Sequence, residues 1–162
     1  TITHKFGPYY GKTVDAETGE PIAGAVVLVE FYTERYTPAG TMSRFVDALE
    51  VLTDVKGEFH IPAYRAWVFR APHRWNTHGD FVIFKPGYGS FPWNTGVQTS
   101  FVQRDALPAD QYVTMKLPTI KNRDEAEKNL YFLPHGSVPD QKMKKFMELL
   151  NTEKTRIWTS YK

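Results

Sequence analysis

Residues 64–80 read YRAWVFRAPHRWNTHGD, with three arginines, two tryptophans and two histidines in seventeen positions. Arginine and tryptophan are the side chains most enriched at the energetic centres of protein interfaces. Arg65, Trp67, Arg70, Arg74 and Trp75 are therefore the first candidates for a contact surface. The competing expectation puts Trp67 and Phe69 on a strand, filling the core, with the arginines merely solvated. A second stretch, PGYGSFPWNTG, supplies Tyr88, Phe91 and Trp93, whose rings suit stacking on a sugar or packing against a partner protein. Tyr88 is expected to pack locally, whereas Phe91 and Trp93 flank Pro92 and are harder to bury on a short strand.

Other chemistry finds fewer anchors. His73 and His78 lie five apart and would need His60 or His135 as a third ligand to hold a metal, a spacing that fits neither a strand nor a helix pair. His60 lies between Phe59 and Ile61, so strand alternation turns it outward. The carboxylates Asp47, Glu50, Asp54 and Glu58 are scattered along one apolar–polar segment, where turn formation and solubility account for them. The chain contains no cysteine, which excludes disulfides, thiolate nucleophiles and Cys-ligated metals. There is no glycine-rich phosphate loop and no G-x-S-x-G nucleophile turn. No catalytic residue and no cofactor are assigned on this basis, and the protein is read as a non-enzyme.

These residues must be positioned by a scaffold, and the scaffold reads as mainly β. VVLVEFY, from Val26, alternates with a period of two and is apolar on both sides, as a central strand is. YYGKTVD reads as its neighbour, DFVIFK and QYVTMKL as further strands, and 48–65 as a hairpin turning at DVKG. In the stretch DAETGEPIAGAVV, Asp15 and Thr18 can bond nearby backbone N–H groups while Gly19 takes a left-handed turn, so this acidic patch reads as a turn rather than a site. After Pro118 the pattern becomes helical. Asn122 and Glu125 have capping-box spacing, and Met143, Phe146, Met147 and Leu150 repeat at i, i+3, i+4 and i+7. That helix should dock on the sheet, with Lys142, Lys144 and Lys145 toward solvent.

The segments GKTVDAETGEPIAGAVVLV, LTDVKGEFHIPAYR and FVIFKPGY, taken together, resemble the carboxypeptidase regulatory-like domain, a transthyretin-like (prealbumin-like) family. The resemblance spans about residues 11–118 and leaves out the loop 33–44 and the helical tail. It implies a Greek-key β-sandwich of about seven strands and a mostly non-catalytic role in exported or surface proteins. Two enzyme classes with related sandwiches lack their signatures here. The H-x-H iron pair of intradiol dioxygenases has no counterpart, although Tyr131 and His135 have the residue types of iron ligands, and the Y-R-G-S ending of hydroxyisourate hydrolases is replaced by WTSYK. The Lys–Asn isopeptide link of pilin-like sandwiches has a candidate lysine in Lys12 but no asparagine in QYVTMKL.

Lysine and arginine number 20 against 18 acids, so the net charge of +2 gives no global field for nucleic acid, and no apolar run approaches the roughly 20 residues that span a bilayer. The expectation is a sandwich over 1–118 with a helical extension over 119–162 that packs on it, exported to the periplasm or cell exterior after loss of a signal peptide. It would bind another protein, or itself, through loops 64–80 and 87–94. Carbohydrate recognition by the same aromatics is an alternative, as is assembly into a surface filament through sheet edges and the flanking segments 1–10 and 154–162.

Overall fold

The computed structural model describes residues 2–102, 105–133 and 137–160. The strands are β1 (Thr3–Phe6), β2 (Tyr9–Asp15), β3 (Val26–Thr37), β4 (Gly40–Leu52), β5 (Glu58–Ile61), β6 (Tyr64–Trp67), β7 (Arg74–Trp75), β8 (Asp80–Phe84), β9 (Gln98–Thr99) and β10 (Tyr112–Leu117). They are followed by helix α1 (Arg123–Tyr131), a 3-10 turn over Asp140–Lys142 and helix α2 (Lys144–Ser160). One sheet has the order β5-β2-β10-β9, with β2 and β10 parallel. In the other, β3 pairs with β4 on one side and with β8, then β7, on the other. A two-stranded ribbon of β1 and β6 completes the set.

The apolar run in β3 dictates a layered arrangement. Val27, Val29 and Phe31 face a core shared with Phe59, Ile61, Val113, Met115 and Leu117 of the other sheet. Val26 and Leu28 point the opposite way and, with Ala48, Val82 and Phe84, are covered by Phe146 and Leu150 of α2. The helical tail thus packs on the outer face of the β3 sheet, where an uncovered apolar surface would otherwise meet water. Its N-terminus is tied down by Glu50 of β4, whose carboxylate accepts the N–H groups of Lys145 (2.8 Å) and Phe146 (3.0 Å). Those are two of the donors a helix start leaves unpaired, so Glu50 has a defined task beyond solubility. Asp47 likewise accepts from the Tyr64 hydroxyl at 2.6 Å and pairs with Lys142 at 3.1 Å.

Four expectations are corrected. YYGKTVD is not the neighbour of VVLVEFY, because β2 pairs with β5 and β10 in one sheet while β3 lies in the other. Segment 48–65 is not a hairpin, because β4 and β5 belong to different sheets. Gly57 turns the chain between them at φ +73°, with a Cβ there falling 2.4 Å from the Thr13 carbonyl oxygen, so β2 backbone occupies the space any side chain would need. The expected loop 33–44 is the far end of the β3–β4 hairpin, paired through to Thr37 and Gly40. Thr33 is buried, but beyond Glu34 the side chains are mostly exposed on both faces, so backbone pairing proceeds there without an alternating apolar signal. The flanks 1–10 and 154–162, expected to be available for assembly as segments outside the core, instead contribute to it, with Phe6, Tyr9 and Ile157 buried.

The Asp15 turn forms as its residues dictate. The Asp15 carboxylate accepts the N–H groups of Glu17 (2.8 Å) and Thr18 (3.0 Å), and the Tyr88 hydroxyl donates to its other oxygen at 3.0 Å. At α1, the Asn122 side chain caps the N–H of Glu125, again as the spacing required.

Candidate functional site

The β1–β6 ribbon decides which residues of the arginine- and tryptophan-rich segment reach solvent. Its register sets Thr3 opposite Trp67, Lys5 opposite Arg65, His4 opposite Ala66 and Phe6 opposite Tyr64. Phe6 and Ala66 are buried on the inner face, and Tyr64 stacks on Phe31 with ring centroids 4.9 Å apart. Burial, then the Asp47 carboxylate at its hydroxyl, push the Tyr64 phenol up to about 12. Alternation sends Lys5, Arg65 and Trp67 outward. Trp67 is 73% exposed and Phe69, just past the strand, 77% exposed. Trp67 therefore lies on a strand, yet on the side that faces water.

Beyond Phe69 the chain meets the β3–β4 hairpin. The half-buried Arg70 donates from Nη1 to the carbonyl oxygens of Phe45 (2.8 Å) and Arg44 (3.2 Å). Burial, and secondarily the like charge of Arg44, hold its guanidinium below the usual arginine range. Arg74 pairs in register with Glu34 and is exposed, while Arg35 and Tyr36 sit exposed at the hairpin end. Among the described residues Lys5, Arg35, Arg44, Arg65, Arg70 and Arg74 form no ion pair. Lys5 and Arg65 thus share the outer side of the ribbon with Trp67, and Arg44 and Arg70 lie on the hairpin face of Thr33, whereas register and alternation put Arg74 and Tyr36 on the opposite face, beside Glu34.

Trp75 does not belong to this surface. It is buried, edge-on to Phe6 with centroids 5.9 Å apart, because β7 pairs it with Thr33 and turns it under the ribbon. Its indole nitrogen is buried without a hydrogen-bond partner. His73 lies 3.3 Å from the Thr33 hydroxyl through Nδ1, and His78 is exposed beside the Asn76 turn. His60 is exposed as expected and stacks near Tyr10. Among the described residues no group of three His, Asp or Glu side chains is placed to hold a metal, and His135 lies outside them.

The second aromatic stretch divides in the same way. Phe91 is buried, bridged to Ile83 through paired N–H and carbonyl groups at 3.1 and 3.2 Å, so it is a core residue and not a contact residue. Tyr88 is half-buried and its hydroxyl is committed to Asp15. Trp93 remains 54% exposed and stacks on the half-exposed Phe132, centroids 6.0 Å apart and rings 21° from parallel. The helices hold this loop in place. Buried Asn129 accepts the N–H (2.8 Å) and hydroxyl (2.9 Å) of Ser90 and donates to the Tyr88 carbonyl, and buried Glu153 accepts the Gly87 N–H.

Between loop and helix lies a cleft of about 500 Å³ whose walls include Trp93, Phe132, Asn94, Asn129, Lys121 and Glu125. Sequence reasoning found Trp93 but missed Phe132 and Asn129. The only signal for them was an aromatic and an amide on a helix otherwise read as scaffold.

No family model, no curated protein and no solved structure matches this chain.

Proposed function

We propose that this chain is a non-enzymatic binding or assembly module of an exported or cell-surface protein, built as a transthyretin-like sandwich of the carboxypeptidase regulatory-like type. It engages an acidic face of a partner protein through the outer side of the β1–β6 ribbon and the adjoining hairpin end. The observation that carries the proposal is the combination of Trp67 and Phe69, 73% and 77% exposed, with Lys5 and Arg65, which form no ion pair among the described residues. Exposed aromatic rings supply apolar area with few rotors to freeze, and arginine forks bond carboxylates in pairs. Lys5 and Arg65 face one another across the ribbon, and Arg44 stands near Arg70, so an acidic partner would relieve repulsion that the isolated chain carries.

A pull-down from the native source tests this, using the wild-type chain and the Trp67→Ala/Phe69→Ala double variant as baits. Both side chains are exposed, so the variant retains the fold. The expected result is a neighbour that the wild type retains at low salt, that high salt releases, and that the variant fails to hold. Equal retention of the same neighbour by both baits would overturn the proposal.

A further inference from the structure

The cleft between Trp93 and α1 has a different chemistry from the cationic ribbon. Its walls carry two carboxylates, Glu17 and Glu125, and two ammonium groups, Lys121 and Lys128. The four charges of the lining sum to zero. Lys121 pairs with Glu17, Lys128 pairs with Asp124 just outside the cleft at 2.9 Å, and Glu125, which forms no ion pair among the described residues, accepts the backbone N–H of Lys121 at 2.9 Å. Ion and hydrogen bonding to Lys121 and Thr119 holds the Glu17 carboxyl below its ordinary range, so it stays ionised and accepting. What the cleft offers a ligand is therefore hydrogen-bonding capacity without net charge, beside a half-exposed indole and a half-exposed phenyl ring.

An ion would gain little in such a site, and a wholly apolar molecule would strip water from the charged walls. The complementary ligand is neutral, rich in hydroxyls and apolar on the flat of its ring. We infer that the Trp93–Phe132 cleft is a binding site for a neutral saccharide, with a pyranose face on Trp93 and its hydroxyls bonded to the polar walls. The volume of about 500 Å³ holds a few sugar residues and falls in the range of ligand pockets. The site is also rigid before any ligand arrives. The loop preceding Trp93 is fixed through Ser90 and Asn129, both buried, so little ordering is left for binding to require. This site is separate from the ribbon and stands whether or not the ribbon binds a protein.

The test is a titration of the full chain with cellohexaose, maltohexaose and chitohexaose (N-acetylated), following indole N–H resonances by NMR. At millimolar sugar at least one of the three should shift the Trp93 indole and leave Trp67 unmoved. Trp93→Ala should weaken that binding about tenfold or more, while Trp93→Tyr restores part of it. Raising salt from about 50 to about 500 mM should leave the affinity nearly unchanged, because the ligand is neutral and the lining charges sum to zero. No shift with any of the three, undiminished binding by Trp93→Ala, or a steep salt dependence would each overturn the inference.

Discussion

Asp15 is a carboxylate whose charge serves the fold. The backbone N–H groups of Thr18 and Glu17, with the Tyr88 hydroxyl, hold its pKa below the ordinary carboxylate range. A carboxyl depressed in the folded state contributes stability above its unfolded pKa of about 4, and that contribution disappears as pH falls through the lower, folded value. The stability gap between wild type and Asp15→Asn, measured by urea unfolding, should therefore be largest near neutral pH and shrink toward about pH 3. A gap independent of pH would show that the ionised form has no special role. The turn was legible in the sequence because both backbone partners of the Asp15 carboxylate lie within three positions. Trp67 and Trp75 were not separable that way. They share one polar-aromatic segment, and their opposite fates follow from pairing with Thr3 and Thr33, distant partners that no local pattern specifies.

Elements were legible where burial imposes a period and illegible where the backbone alone does the pairing. The apolar run of β3, the cap at Asn122 and the Met143, Phe146 and Leu150 stripe of α2 were each written in side-chain spacing. The outer half of the β3–β4 hairpin was not, since its exposed residues carry no alternation. The β4–β5 connection had hairpin residues, yet close backbone packing of Gly57 on β2 sends the two strands to different sheets. Helix α2 is a structural element, packed on the outer face of the β3 sheet. Phe146 is fully buried against Phe84, centroids 5.9 Å apart, so Phe146→Ala should cost about 3–5 kcal/mol of unfolding free energy. The same substitution at the half-exposed Phe132 should cost far less, because much of that ring already meets water. Equal losses in denaturant unfolding would mean that α2 is not docked as described.

For the whole molecule, a net charge of +2 conceals an uneven distribution. The acids are drawn into local work, at the Asp15 turn, the α2 N-terminus and the Tyr64 contact, while six cations around the ribbon and hairpin have no ionic partner among the described residues. Composition alone cannot register this, because it counts charges without placing them. The layered core then does two jobs. The helices on the outer face of the β3 sheet fix the Trp93 loop, and the ribbon over Phe31 presents Trp67 and Phe69. Under the proposed function these two rings are covered when the protein is in place. Hydroxyl-radical footprinting, read by mass spectrometry on the purified chain and on intact native material, tests it whatever the partner's identity. Trp67 and Phe69 should be oxidised readily in the isolated protein and protected several-fold in the native setting, with Trp75 slow in both. Equal oxidation of Trp67 and Phe69 in the two preparations would contradict the account.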